Sequence, residues 1–233
     1  MPLHYFIWNG TNTQDKHIQV ANRVPVVRPE ERVQHVTIPG RVGELTVTEG
    51  DQIYNSYIQT AEVAVDGKAN VHEAENWLKG EGLITFDTEP NRQQKARIIG
   101  AVTLDKHSKN MDRYSASVQF YCEPVKSDPD EEDIEVTESG ATITNPGDLN
   151  AYPLIKITGS GQITLSCGGN VLTIPECVSG WTVDCENEWI LDGGTPLGGV
   201  CSGAFPVFVP GVNTLAFTGS ITKLEITPRF RYL

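Results

Sequence analysis

Apolar and polar residues alternate along most of this chain, the two-residue period that sets one face of a β-strand against a core. The cleanest run spans residues 57–65, where Ala61, Val63 and Val65 share a face, Glu62 and Ala64 take the other, and Asp66-Gly67 makes a turn. Residues 114–122 repeat the pattern with Ala116, Val118 and Phe120 on one side. Residues 33–38 are β-rich and end at Pro39-Gly40, with Leu45-Thr46-Val47 just beyond, which predicts a hairpin or a bulged pair. Leu83-Ile84-Thr85-Phe86 and the stretch 95–104 read as further strands. One segment breaks the period. Val71, Ala74, Trp77 and Leu78 fall at i, i+3, i+6 and i+7, a helical stripe that Asn70 is placed to cap and Gly80 and Gly82 to stop. Residues 1–125 are therefore expected to be a β-rich domain with one helix docked on its sheet.

The texture changes after Lys126-Ser127-Asp128-Pro129-Asp130-Glu131-Glu132-Asp133, a charge run with a proline that reads as a solvated linker over residues 126–134. Beyond it, short apolar runs are punctuated by Gly159-Ser160-Gly161, Gly168-Gly169-Asn170, Pro210-Gly211 and Gly219-Ser220, with no helical stripe between them. Turn residues at that regular spacing predict an antiparallel β-sandwich of jelly-roll or lectin type over residues 135–233. Ile163, Leu165 and Cys167 on one strand, and Leu224 and Ile226 on another, are its expected core.

Charge sharpens this division. The net charge is −12, but residues 1–125 hold 13 Lys and Arg against 16 Asp and Glu, while residues 126–233 hold 5 against 14. Gripping nucleic acid by its phosphates needs clustered cations, so specific nucleic-acid binding is not expected of the second domain. An acidic wall instead lets a polyanion slide past. No apolar run approaches the roughly 20 residues that span a bilayer, so no membrane insertion is expected. The five cysteines form no C-x-x-C pair, and the N-terminus is unlike a signal peptide, which fits a reducing cytoplasm and buried thiols. A bridge between Cys177 and Cys185 is left open.

Catalytic constellations are hard to find. All five histidines (His4, His17, His35, His72 and His107) precede the acidic run, so no Ser-His or Cys-His pair can form within the second domain. His72-Glu73-Ala74-Glu75-Asn76 has asparagine where a zinc helix needs its second histidine. No phosphate-binding loop occurs. Asp184, Glu186, Glu188 and Asp192 lack the partner pattern of a sugar hydrolase. Catalytic residues, cofactor and metal are all expected to be absent. Trp181 and Trp189 are the candidates for stacking on a sugar ring.

Several stretches resemble the distal tail proteins of phages that infect Gram-positive bacteria. Thr37-Ile38-Pro39-Gly40-Arg41-Val42-Gly43-Glu44-Leu45 is similar to the family's PGR-x-G-x-L turn, and Trp77-Leu78 with Gly80 and Gly82 to its helix end. Asp87-Thr88-Glu89-Pro90 with Lys95-Ala96-Arg97, and the terminal Thr227-Pro228-Arg229-Phe230-Arg231, resemble its acidic-proline turn and its ending. The resemblance implies a non-enzymatic virion protein assembled in the host cytoplasm. Its first domain, related to a tail-tube fold, would close into a homohexameric ring that passes DNA. Its partners would be the tail-tube protein, a tail-tip or tail-associated protein and a receptor-binding protein of the baseplate. In that setting Arg92, Lys95 and Arg97 line a subunit contact or the lumen. The alternatives are a protein that docks on host cell-wall sugars through its sandwich and a tail-tube subunit.

Overall fold

The computed structural model describes residues 4–233, which divide into two compact units, the first ending at Pro129 and the second spanning Asp130–Tyr232. The first unit contains β1 (Phe6–Trp8), β2 (Thr11–Asn12), a 3-10 turn (Thr13–Lys16), β3 (Ile18–Val20), β4 (Val33–Thr37), β5 (Glu44–Thr48), β6 (Tyr57–Asp66), α1 (Lys68–Trp77), β7 (Glu81–Phe86), β8 (Gln93–Ile99), β9 (Asp105–Ser108) and β10 (Met111–Ser127). Its main sheet is antiparallel, in the order β2-β1-β7-β8-β10-β6-β3, with β9 alongside β10. The alternating faces seen in the sequence form its core: Ala61, Val63, Val65, Ala116, Val118 and Phe120 are all buried. Phe120 is the hub of an aromatic cluster, with ring centroids 5.2 Å from Phe6, 5.7 Å from Trp8 and 5.9 Å from Phe86. Trp77 of α1 stacks on Phe6 at 5.9 Å, which docks the helix against the sheet. Burial of each such side chain stabilises by about 1.5–3 kcal/mol.

The helix starts differently from expectation. Gly67 is its N-cap and supplies no side chain, while Asn70 lies inside the first turn and donates back to the Asp66 carbonyl at 2.7 Å. The cap comes from β10, where an Asp112 carboxylate oxygen accepts the Lys68 N–H at 3.1 Å and the Asp112 carbonyl accepts the Gly67 N–H at 2.7 Å. No local motif records a partner 44 residues away.

The second unit contains β11 (Ile134–Val136), β12 (Ala141–Asn145), β13 (Leu154–Cys167), β14 (Asn170–Cys177), β15 (Thr182–Asp184), β16 (Trp189–Asp192), β17 (Thr195–Leu197), β18 (Ser202–Gly203) and β19 (Gly211–Thr227). It is an antiparallel sandwich built on two long bent strands. The first halves of β13 and last halves of β19 pair in a layer with β11, β15, β16 and β17, and their other halves pair with β14 and β12. Gly159-Ser160-Gly161 and Gly219-Ser220 are thus bends inside continuous strands, where the sequence pattern predicted turns between separate ones. The register shifts on either side of the pair Ser160 and Ser220. A Cβ on Gly219 would stand 2.3 Å from the Gln162 carbonyl oxygen, and the residue's φ is +98°, so only glycine fits the crossing. Ile163, Leu165, Cys167, Leu224 and Ile226 face the core as expected.

The acidic run is only partly irregular. Lys126 and Ser127 complete β10, and β11 begins at Ile134. Within the second unit, the Glu131 carboxylate accepts the N–H groups of Arg229 and Phe230, each at 2.8 Å, and Asp133 accepts the Thr227 hydroxyl at 2.6 Å. Successive backbone N–H groups around a residue of positive φ, here Arg229 at +55°, form a concavity that favours a carboxylate.

Candidate functional site

One exposed apolar surface lies on the β4–β5 hairpin, which forms a two-stranded sheet of its own. Directly paired residues on antiparallel strands point the same way. The pairs His35–Thr46 and Thr37–Glu44 therefore make a polar face, where Thr46 Oγ1 and His35 Nδ1 lie 3.2 Å apart. The opposite face carries Gln34–Val47 and Val36–Leu45, with Ile38 beyond, and Val36 and Val47 are each 43% exposed. Val42 near the tip is fully exposed. A lone two-stranded hairpin is marginal in water, and one with an uncovered apolar face more so.

The root of this hairpin is nevertheless held firmly. Arg32 and Ile53, Glu49 and Arg32, and Asn55 and Glu30 are joined by backbone hydrogen bonds of 2.8–3.2 Å, which extend the ladder below the hairpin. The segment leading into it is tied to the main sheet by buried side chains. Gln59 Nε2 donates to the Pro25 carbonyl at 2.7 Å, Gln94 Nε2 to Gln59 Oε1 at 3.1 Å, and the Tyr57 hydroxyl to Gln94 Oε1 at 2.8 Å. Lys126, buried at 3% side-chain exposure, pairs with Glu89 at 2.7 Å and reaches the Val27 carbonyl at 3.5 Å. Burial drives the Tyr57 hydroxyl well above its ordinary pKa and pushes the Cys122 thiol up to about 12.

A second surface is the outer face of the main sheet. Glu81, Arg97, Tyr121 and Ile58 form a row across β7, β8, β10 and β6. Leu83 and Lys95 form the next pair, and with Glu123 these residues line an open depression of about 700 Å³. Lys95 and Arg97 are brought together here, on the same face of β8. Arg92 is not part of it: it lies in the turn before β8, pairs with Asp128 at 3.3 Å and donates to the Asn91 carbonyl. The apolar members of this face, Leu83, Tyr121 and Ile58, are more than 40% exposed. They had no place among the expected site residues, although each occupies an outward position of an alternating strand.

In the sandwich the two tryptophans separate. Trp181 is buried among the core residues and its face cannot receive a sugar, whereas Trp189, on the outer face of β16, is 51% exposed. All five thiols are free, and burial raises the pKa of each; Cys177 and Cys185 are not bridged. His72 sits on the exposed side of α1 and shares a 3.0 Å contact with Asn76 Nδ2. Among the described residues no group of three His, Cys, Asp or Glu side chains is arranged for a metal ion, and no helix is long and apolar enough to cross a membrane.

No protein-family model matches the chain, and no curated protein matches it in sequence. The fold has solved counterparts. The crystal structure of the SPP1 Dit (gp 19.1) protein, described as a paradigm of the hub adsorption apparatus in phages infecting Gram-positive bacteria, superposes with a TM-score of 0.76. The likeness covers 99% of this chain and 100% of that one at 19% sequence identity. Both units and their order along the chain therefore share that protein's fold.

Proposed function

We propose that this chain is a distal tail protein, a structural component of the tail tip of a phage infecting a Gram-positive bacterium, and that its first unit closes into a homohexameric ring. The observation that carries the reading is the two-faced β4–β5 hairpin, an uncovered apolar face on a rigid root. A neighbouring copy covers that face in a head-to-tail contact, and repetition of such a contact closes a ring once the rotation allows. Each contact should bury on the order of 1,000 Å² or more in total. The whole-chain likeness to a hub adsorption protein supports the same reading.

In this ring the outer face of the main sheet, with Lys95 and Arg97, lines either the lumen or the subunit contact. Its charges are of both signs, Glu62, Glu81 and Glu123 beside Lys95 and Arg97, and the chain as a whole is acidic. Such a wall does not hold DNA by its phosphates, which suits a passage. The role is structural, not catalytic, and its partners are the tail-tube protein above and tip proteins below. Light scattering with negative-stain imaging of the purified chain tests this. The expected particle has six times the 25.5 kDa chain mass and a central hole. A monomer at high concentration would remove the reading, and long tubes would replace it with that of a tube subunit.

A further inference from the structure

The sandwich unit displays an arrangement that the ring reading leaves unused. The short strands β15, β16 and β17 form an antiparallel ribbon at the end of one layer. Val183 and Ile190 turn inward and are fully buried, so the alternate positions Thr182, Asp184, Trp189, Leu191 and Pro196 share the outer face. Trp8 and Trp181 are buried and Trp77 stacks on Phe6, so Trp189 alone among the four tryptophans presents half its surface outward. Leu191 and Pro196 extend its apolar floor on one side.

On the other side stands Asp184, the cross-strand partner of Trp189, with its Cβ about 5 Å away for such a pair. Asp184 is buried and organises the groups around it. Its Oδ1 accepts the Glu186 N–H at 3.2 Å and Arg229 Nη1 at 2.8 Å, and its Oδ2 accepts Asn187 Nδ2 at 2.9 Å. Arg229 Nη1 also lies 3.4 Å from the exposed Glu186 carboxylate. Both contacts use Nη1, and the Arg229 side chain is 32% exposed, so the guanidinium also meets solvent. Two non-glycine residues with positive φ, Glu188 at +56° and Arg229 at +55°, shape the backbone just before Trp189 and at Arg229 itself. Left-handed backbone in such residues is uncommon and persists where its surroundings enforce it.

We propose that this face binds a neutral pyranose sugar. The indole of Trp189 takes the C–H face of the sugar, as aromatic faces do. A pair of vicinal hydroxyls then meets a donor and an acceptor side by side: the Arg229 guanidinium, which Asp184 orients in advance at 2.8 Å, and the exposed Glu186 carboxylate that Arg229 holds at 3.4 Å. The preference for an uncharged sugar follows from the charge of the unit, since residues 126–233 carry 5 cations against 14 anions and repel phosphate- or carboxylate-bearing polymers. This site is independent of ring closure and stands or falls separately.

The test uses the full chain and four probes: methyl β-galactoside, methyl β-glucoside, methyl N-acetyl-β-glucosaminide and polyglycerol phosphate. Saturation-transfer NMR and titration should show saturable binding of at least one neutral glycoside, with Kd on the order of millimolar for a monosaccharide. Trp189→Ala should weaken it at least about tenfold and Glu186→Gln about threefold, with the circular dichroism, melting temperature and particle mass of both variants unchanged. Equal affinity in wild type and Trp189→Ala, tighter binding of polyglycerol phosphate than of any glycoside, or no saturation by any neutral glycoside overturns the proposal.

Discussion

Two hairpins in this molecule have similar strands and opposite fates. In β16–β17 the inward residues Ile190 and Leu197 find the sandwich core of their own unit, so the outer face is free to carry Trp189. In β4–β5 neither face meets a core, and Val36, Ile38, Leu45 and Val47 stay in solvent. The first hairpin is finished by its own chain; the second is left open by its own chain and, on the ring proposal, is covered by a neighbouring copy. The same alternation therefore leaves one outward face on a finished sheet in one place and two uncovered faces in the other, and what separates them is whether a third strand pairs alongside.

That contrast can be broken by substitution. The largest stability effect is expected from Ile190→Ala, which removes a fully buried side chain and should destabilise the sandwich by about 2–4 kcal/mol in denaturant titration while leaving particle mass unchanged. Val36→Glu with Leu45→Glu should do the reverse: the particle falls to a monomer by light scattering, and the melting temperature of that monomer matches dilute wild type, because both side chains are exposed within the chain. Lys126→Ala should cost roughly 1–3 kcal/mol by leaving Glu89 without its cation and the Val27 carbonyl without a donor, and should speed amide exchange in the strap before β4.

The smallest effect is one of pH. Burial pushes the Asp184 carboxyl upward, but hydrogen bonds from Asn187 and Arg229, together with the Arg229 charge, outweigh burial and hold it below its ordinary value. A carboxyl depressed in the folded state stabilises above its unfolded pKa of about 3.9, and that contribution fades as pH falls through and below this value. The melting temperature of the sandwich should therefore fall between pH 5 and 3, and the part of the fall that Asp184→Asn removes belongs to this group. An unchanged slope in the variant would show that other carboxylates dominate.

The sequence disclosed much of this design unevenly. Faces were legible wherever alternation ran for several residues, as at Ala61, Val63 and Val65, or Ile163, Leu165 and Cys167, because burial of a periodic face leaves a local trace. The hairpin at 33–48 was legible from Pro39-Gly40 between two β-rich runs. The continuity of β13 and β19 was not. A glycine pair inside a bend and one inside a turn have the same composition, and only the partner strand tells them apart. The stretch 95–104 likewise continued in apolar residues past Ile99, where β8 ends. The helix cap at Asp112 and the clasp of Glu131 on Arg229 and Phe230 join distant residues, so no window along the chain contains them. At the surfaces, Lys95 and Arg97 were separable from Arg92 only by register, and Trp189 from Trp181 only by burial.

The long bent strands have a mechanical meaning. Because β13 and β19 pass unbroken through both layers, tension applied to one layer is transmitted to the other by covalent backbone, where separate strands would rely on hydrogen bonds peeled one after another. Stretched from its ends, the sandwich should part in a single rupture event and not unzip layer by layer.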